Sequence, residues 1–353
     1  MAESPPKKIK VGSEIKDADI LGFTVDRDMF QPDMATIVVS NPGGPYSKAE
    51  IGAEVEIQIG DENTSIYKGE LVGIEGDYKG GEKTKIVFRA MNAFHQLLRH
   101  RKSVTFQDKT DQQILTQVAN GLSVKWKHEK SIPYKHVYQH NQTDMEFLRM
   151  RAARMGCHVW CVGTDLYIQQ PDLNSQPIAS LKISSERTQA TEGAIKWFRP
   201  RISSASIVKK VTVKGWNPET KELITGTATA QDSNLGKENA AKAATKLVKE
   251  EETFTVDHPI WSKEEADVLA KARLTELSLT YVTGECEVAG DPKLDLGKVI
   301  EIQANEEPDT KDDDPFNGKY YVMGVTHRLV LSKSKEGGYS TILRLARDAW
   351  KKK

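Results

Sequence analysis

The chain has 353 residues, 38% of them hydrophobic and 28% charged, with 50 basic side chains against 50 acidic ones. That length exceeds one ordinary core and implies two or three domains, and the even balance excludes the strong field that would draw a chain to nucleic acid or a membrane surface. No run approaches the roughly 18 apolar residues of a membrane span, and the opening MAESPPKKIKVGSEI has no apolar signal core, so synthesis in the cytoplasm without membrane binding is expected.

Residues 1–104 read as an N-terminal β-barrel domain. ILGFTVDRDMF, MATIVVSN, GAEVEIQIG, SIYKGELVGIEGDY and TKIVFRA alternate or are rich in β-branched residues, with Gly, Pro, Asn and Asp between them. A short helix is expected around NAFHQLLRH. Residues 105–195 read as an α/β domain. Thr110 and Gln113 have capping-box spacing ahead of a helix at 111–120, and Thr143 and Glu146 repeat it ahead of DMEFLRMRAARM, which stops at Gly156. CHVWCVGTDLYIQQ then reads as a hairpin turning at 163–165. Residues 196–353 return to strands as a second β-barrel domain with a helical insertion at about 235–280. Within it an alanine-rich helix is expected over 237–252 and a longer one over 263–279, capped by Ser262 with Glu265. The inner face of the longer helix carries Ala266, Leu269, Ala270, Leu274 and Leu277. The fold class is therefore mainly β (α+β): two similar antiparallel barrels, an inserted α/β domain and helical connections.

The sequence also repeats itself. IGAEVEIQIG at 51–60 returns as LGKVIEIQAN at 296–305. Gly52 opens GAEVEIQ, followed by YKGELVGI through Gly73 and KGGEKTKIVFRA through Gly80 and Gly81. Gly297 opens GKVIEIQ, followed by GKYYVMGV through Gly324 and EGGYSTILRLAR through Gly337 and Gly338. The second copy is longer only in the acidic loop EEPDTKDDDPFN and in the hairpin THRLVLSKSKE. Two copies separated by about two hundred residues do not stack as a solenoid, so they imply two barrels in one chain. Three such chains around an axis would present six similar barrels.

VYQHNQTDMEFLRMRAARMG resembles the signature Q-x-[NR]-[EQ]-[ST]-D-x-x-F-L-x-x-x-A-x-x-x-G of phage late control D and VgrG-type tail hub proteins. Gln139, Asn141, Thr143, Asp144, Phe147, Leu148 and Gly156 occupy the matching positions. VTVKGWNPETKELITG, with Gly215 and Trp216, is similar to a second landmark of that family. The stretch from ADVLAKARL to the last strand resembles its closing barrel, carrying Gly284, Gly290, Gly297, Gly318, Tyr320 and His327. The resemblance implies a baseplate hub: a homotrimer and symmetry adaptor that joins a hexameric tail tube to a trimeric central spike. Its implied partners are itself, the spike, the tube protein and other baseplate proteins, and its implied location is a phage tail or contractile injection particle. Because the chain stops at DAWKKK, the spike is expected to be a separate polypeptide. A tailocin or other injection system is the alternative within this class. A β-rich cell-wall or carbohydrate-binding accessory protein is the alternative outside it, and would call for clustered exposed aromatics.

Little in the chain points to catalysis. Cys157, Cys161 and Cys286 are odd in number; CHVWC has three residues between its thiols rather than the two of a redox or zinc motif, no second pair completes a zinc site, and Cys157, Val159 and Cys161 share one strand face as small buried hydrophobes. Arg149, Arg151 and Arg154 diverge at 100° per residue, while Leu148, Ala152 and Met155 form the packing stripe, so the arginines are expected in solvent. His128, His136 and His140 are expected on the surface of a strand. Glu306, Glu307, Asp309, Asp312, Asp313 and Asp314 lack the spacing of a calcium loop. No G-x-S-x-G, H-E-x-x-H or P-loop string occurs. No enzymatic activity, cofactor, metal or specific nucleic-acid partner is expected.

Overall fold

The structure is a computed structural model and describes residues 5–80, 83–183, 193–244, 249–256, 258–304, 314–331 and 338–351. Six strands of five residues or more open the chain, β1 (Lys7–Val11), β2 (Ile20–Asp28), β3 (Met34–Ser40), β4 (Glu54–Ile59), β5 (Thr64–Asp77) and β6 (Lys85–Met91), with a two-residue strand, Ser13–Glu14, on the outer edge of β1. They pair antiparallel in the order β1-β4-β5-β6-β3-β2. Period-two patterning selects the inner face. Ala35, Ile37 and Val39 of β3 meet Val55, Ile57 and Ile59 of β4 and Ile86, Phe88 and Ala90 of β6 in one core. Each buried Ile or Phe contributes roughly 2 kcal/mol, and a register slip of one residue would turn a whole row outward.

A 3-10 turn at Ala93–Leu98 stands where the short helix was expected. The next unit is built from β7 (Arg101–Thr110), α1 (Asp111–Val118), β8 (Ser123–Lys127), β9 (Pro133–Thr143), α2 (Asp144–Arg154), β10 (His158–Val162) and β11 (Asp165–Gln169). Both capping boxes form, Thr110 with Gln113 and Thr143 with Glu146. The β10–β11 hairpin forms too, and β8 joins it in parallel. β7 pairs with β9 from Arg101 onward, so this unit begins ahead of residue 105.

β12 (Ser180–Ile183) and β13 (Ala194–Ile202) already belong to the second barrel, and a joint at 195 would cut through β13. After them comes an insert of β14 (Val208–Asn217), β15 (Glu222–Thr229), β16 (Lys249–Thr255) and α3 (Lys263–Ser278). The expected alanine-rich helix over 237–252 is corrected here. Among the described residues of the stretch only Ala240–Ala243 is helical, and its end is β16, parallel to β14. The open edge of β14 supplies backbone partners to the end of the stretch, and tertiary pairing overrides helix propensity. α3 starts at the Ser262 cap and lays Ala266, Leu269, Ala270, Leu274 and Leu277 on Val211 and Val213, as expected.

β17 (Val282–Ala289), β18 (Val299–Gln303), β19 (Gly318–Val330) and β20 (Gly338–Arg347) complete the second barrel. Its ladder runs β12-β18-β19-β20-β17-β13 and closes where β13 pairs with β12. The fold is thus mostly β with a closed six-strand barrel. Pairing is antiparallel except at β12, which runs parallel to both neighbours.

That ladder repeats the strand order of the first with one strand reversed, since β1 is antiparallel to β4 whereas β12 is parallel to β18. β12, β13, β17, β18, β19 and β20 stand in for β1 to β6, in the same order along the chain and in the same order in space. Irregularities recur as well. A bulge separates Ile20 from Gly22 against β3, and one separates Ile195 from Trp197 against β17. Another separates Leu71 from Gly73 opposite Arg89, and its double separates Val322 from Gly324 opposite Arg344. The repeat visible in three strands of sequence therefore extends to six. The acidic loop at 305–313 and the hairpin tip at 332–337, which were expected to lengthen the second copy, lie outside the described residues, as do Gly81 and Gly337.

Candidate functional site

The two barrels are joined by backbone. Gly22–Asp28 of β2 pairs antiparallel with Gly324–Val330 of β19, making one continuous 13-stranded sheet. Gly22 permits this approach, since a Cβ there would fall 2.5 Å from the Leu329 carbonyl oxygen. Beneath the junction Arg27, buried, donates to Asp33 at 3.1 Å and reaches Asp295 of the second barrel at 2.8 Å. Burial raises the Asp33 carboxyl to about 7 against the pull of Arg27. His327, fully buried on β19, holds Nδ1 2.9 Å from the Tyr339 hydroxyl and 3.3 Å from that of Thr341. Burial, reinforced by Arg27, lowers its imidazole to about 3. Gly290 makes room for Tyr339, whose ring would overlap a Cβ there.

The α/β unit bridges the two barrels. Phe30 N–H donates to the Val159 carbonyl and Asn92 Nδ2 to the Cys161 carbonyl, tying β10 to the first barrel. On the other side His158 lies 3.2 Å from the Tyr321 hydroxyl, and Trp160 joins the core of the second barrel. Gly297, with φ +71°, has the Trp160 ring 3.1 Å from where a Cβ would be.

The signature segment is a local folding device. Gln139 is buried and donates to the Gln142 carbonyl and to Asp144 Oδ1, across the bulge in β9. Asn141 takes the left-handed conformation that the bulge requires, at φ 46°. Thr143 caps α2, and Asp144 accepts from Lys102 at 2.5 Å. Phe147 stacks on Phe106 at 5.7 Å, with Leu148 in the same core. Gly156 has φ +67°, and a Cβ there would lie 3.1 Å from Cα of Ala272 on α3, so it serves both the cap and the close packing.

The arginines depart from expectation. Arg149 is exposed, but Arg151 is buried, donates to Asp111 at 2.7 Å and lies 4.5 Å over the Tyr134 ring. Arg154 is mostly covered and pairs with buried Glu265 of α3 at 2.8 Å. Angular divergence led to the wrong environment because α2 is covered on more than one side, by the barrel-facing strands and by α3. His136 and His140 are exposed and His128 is half-buried. All three cysteines are free and buried, with burial pushing each thiol up to about 12.

The remaining expected positions are dispersed. Gly215 lies against Ile260 in the insert, while Trp216 stands 52% exposed, directly opposite Leu223, also exposed. Gly284 backs onto Pro200 of β13. Gly318, at φ +130°, makes room for Arg347, whose guanidinium is buried 5.4 Å over the Tyr320 ring and donates to the carbonyls of Pro315, Asn317 and Lys351. Sequence reasoning missed Arg27 and Arg347. Their signal was legible: Arg27 continues the inward row of Phe23 and Val25, and Arg347 that of Leu343 and Leu345.

Among the described residues no group of three or more His, Cys, Asp or Glu side chains is placed to hold a metal, and no helix is long and apolar enough to cross a membrane. A cleft of about 780 Å³ lies beside β13, lined by Arg199, Arg201, Glu285, Arg344 and Glu276. It offers charge, and of its lining residues Cys157 has its thiol pushed up and His158 its imidazole pushed down by burial.

No curated protein matches this sequence. The chain is similar in structure to the tail protein from Neisseria meningitidis MC58 at 16% identity, covering 98% of this chain and 97% of that one with a TM-score of 0.72. It is similar to the 43 kDa tail protein of prophage MuSo2 from Shewanella oneidensis at 13% identity, covering 98% and 100% with a TM-score of 0.70. A third likeness is to the E. coli c3393 protein, a component of the type VI secretion system, at 10% identity, 98% and 74% coverage and a TM-score of 0.60. At such identities the likeness establishes the fold. The family model that matches, described as the Alg8 N-terminal domain, is a different one from the late control D and VgrG-type family that the sequence resembles. Its match covers residues 46–330, more than half of the chain, and the chain belongs to the Alg8 N-terminal domain family.

Proposed function

We propose that this chain is a non-enzymatic structural hub of a tail-type baseplate, of the late control D and VgrG-type kind. Three copies form a ring that receives a hexameric tube on one side and a trimeric spike on the other, within a phage tail or related contractile particle. The observation that carries this reading is the six-strand repeat, with its shared bulges and identical order along the chain and in the sheet. A chain with two equivalent barrels converts three-fold into near six-fold symmetry on assembly. Likeness in fold to tail proteins supports the setting, and the buried, paired state of the charged groups on α2 and at the junction suits a rigid part rather than a catalyst. The test is the mass in solution, by light scattering and native mass spectrometry, with and without a trimeric spike protein from the same genome. Trimers are expected. A chain that stays monomeric and ignores the spike refutes the reading.

A further inference from the structure

We propose that neighbouring copies of this chain join edge to edge, β13 of one copy pairing antiparallel with residues 74–78 of β5 in the next. The inference rests on the ring reading above and adds its interface. Within the chain, β2 of the first barrel pairs with the outer half of β19 of the second. By the repeat, β13 is the counterpart of β2 and β5 the counterpart of β19. Among the described residues both counterpart edges lack a strand partner: β12 covers β13 only at Ala194 and Ile195, and β5 beyond Leu71 is paired on one side alone, by β6. Unpaired edges of this length are ready templates for another chain. A head-to-tail contact of this kind closes into a ring when its rotation permits.

The bulges set the register. Gly73 matches Gly324, and Ile195 and Trp197 match Ile20 and Gly22. Inside the chain Arg27, Asp26, Val25, Thr24 and Phe23 face Val325, Thr326, His327, Arg328 and Leu329. Transferred to the counterparts, Ile202 faces Ile74, Arg201 faces Glu75, Pro200 faces Gly76, Arg199 faces Asp77 and Phe198 faces Tyr78. Nothing in the transfer used side-chain chemistry, yet it sets two arginines against two carboxylates on one face. On the other face it sets isoleucine against isoleucine and phenylalanine against tyrosine. Ile202 is 39% exposed and Tyr78 71% exposed in the isolated chain. Glu75 is held at the surface by Arg89, and Arg199 is exposed over the Trp197 ring at 4.6 Å, while Ile74, Asp77 and Phe198 are half-buried in the isolated chain.

Pro200 fits the same picture. Ser203 N–H donates to Tyr281, so alternate residues 201 and 199 face β17 while Ile202, Pro200 and Phe198 face the open edge. Pro200 has no N–H to give across that edge, so the inter-chain ladder lacks one bond at this position.

The test uses the full chain. Glu75→Arg with Asp77→Arg, and separately Arg199→Glu with Arg201→Glu, turn two attractive cross-strand pairs into repulsive ones and weaken association roughly tenfold or more. Mixing or combining the two sets restores it, which a folding defect would not do. Glu75→Cys with Arg201→Cys places thiols at a narrow antiparallel pair, within disulfide reach, and yields covalently closed three-chain species while the native thiols stay buried. Trimers that survive charge reversal and form no such cross-link overturn this interface and leave the ring reading standing. A chain that never associates overturns both.

Discussion

His327 makes the junction between the barrels sensitive to acid. It is fully buried, Nδ1 is engaged by Tyr339 and Thr341, and among the described residues Nε2 has no hydrogen-bond partner. Its imidazole is lowered to about 3 in the fold, against about 6.5 in the unfolded chain. A depressed pKa contributes stability that is complete above the unfolded value and is lost as pH falls toward the folded one. At about 1.4 kcal/mol per unit, moving from pH 7.5 to pH 4.5 removes roughly 3 kcal/mol through this group, because the unfolded chain takes up a proton that the folded chain refuses. Asp33, raised to about 7, acts in the opposite sense: its contribution is complete below about 3.8 and is lost as pH rises through 7. The comparison that isolates His327 is therefore wild type against His327→Gln, with Asp33, Arg27 and His158 present in both. Urea unfolding across this pH range should show the two stability curves converging by roughly 3 kcal/mol between pH 7.5 and 4.5. Parallel curves, or a His327 resonance that titrates near 6.5 in the folded protein, refute the reasoning.

Gly156→Ala should cost roughly 2 kcal/mol or more in urea unfolding, since φ is +67° and α3 is 3.1 Å from the new Cβ; Gly121→Ala, at φ +87° with open space around it, should cost only the backbone part, about 1 kcal/mol. Equal costs would mean that α3 yields freely. Arg151→Ala strands buried Asp111 and should cost about 3–5 kcal/mol, whereas Arg149→Ala on the exposed side should stay within about 0.5 kcal/mol; similar values for the two would contradict the buried pair.

Local chemistry was written plainly in the chain. The capping boxes at Thr110 and Thr143, the left-handed Gly156, the Ser262 cap and the inward rows of β3, β4 and β6 each depend on residues a few positions apart, so spacing alone determines them. The repeat was legible in β4, β5 and β6 because those strands kept their glycines and their VEIQ-like core. It was hidden in β1, β2 and β3, where the counterparts share a place in the ladder, and β2 and β13 a bulge, without sharing residues: Trp197 stands where Gly22 does, and Pro200 where Val25 does. Backbone hydrogen bonds carry no side-chain signature, so only the folded ladder reveals that equivalence. Tertiary contact likewise decided that 249–255 is a strand, that Arg151 is buried and which groups pair with Arg27 and Arg347. A charge is admitted to a core only when a partner distant in sequence is brought beside it, as Asp33 and Asp295 are for Arg27, Asp111 for Arg151 and the Asn317 carbonyl for Arg347.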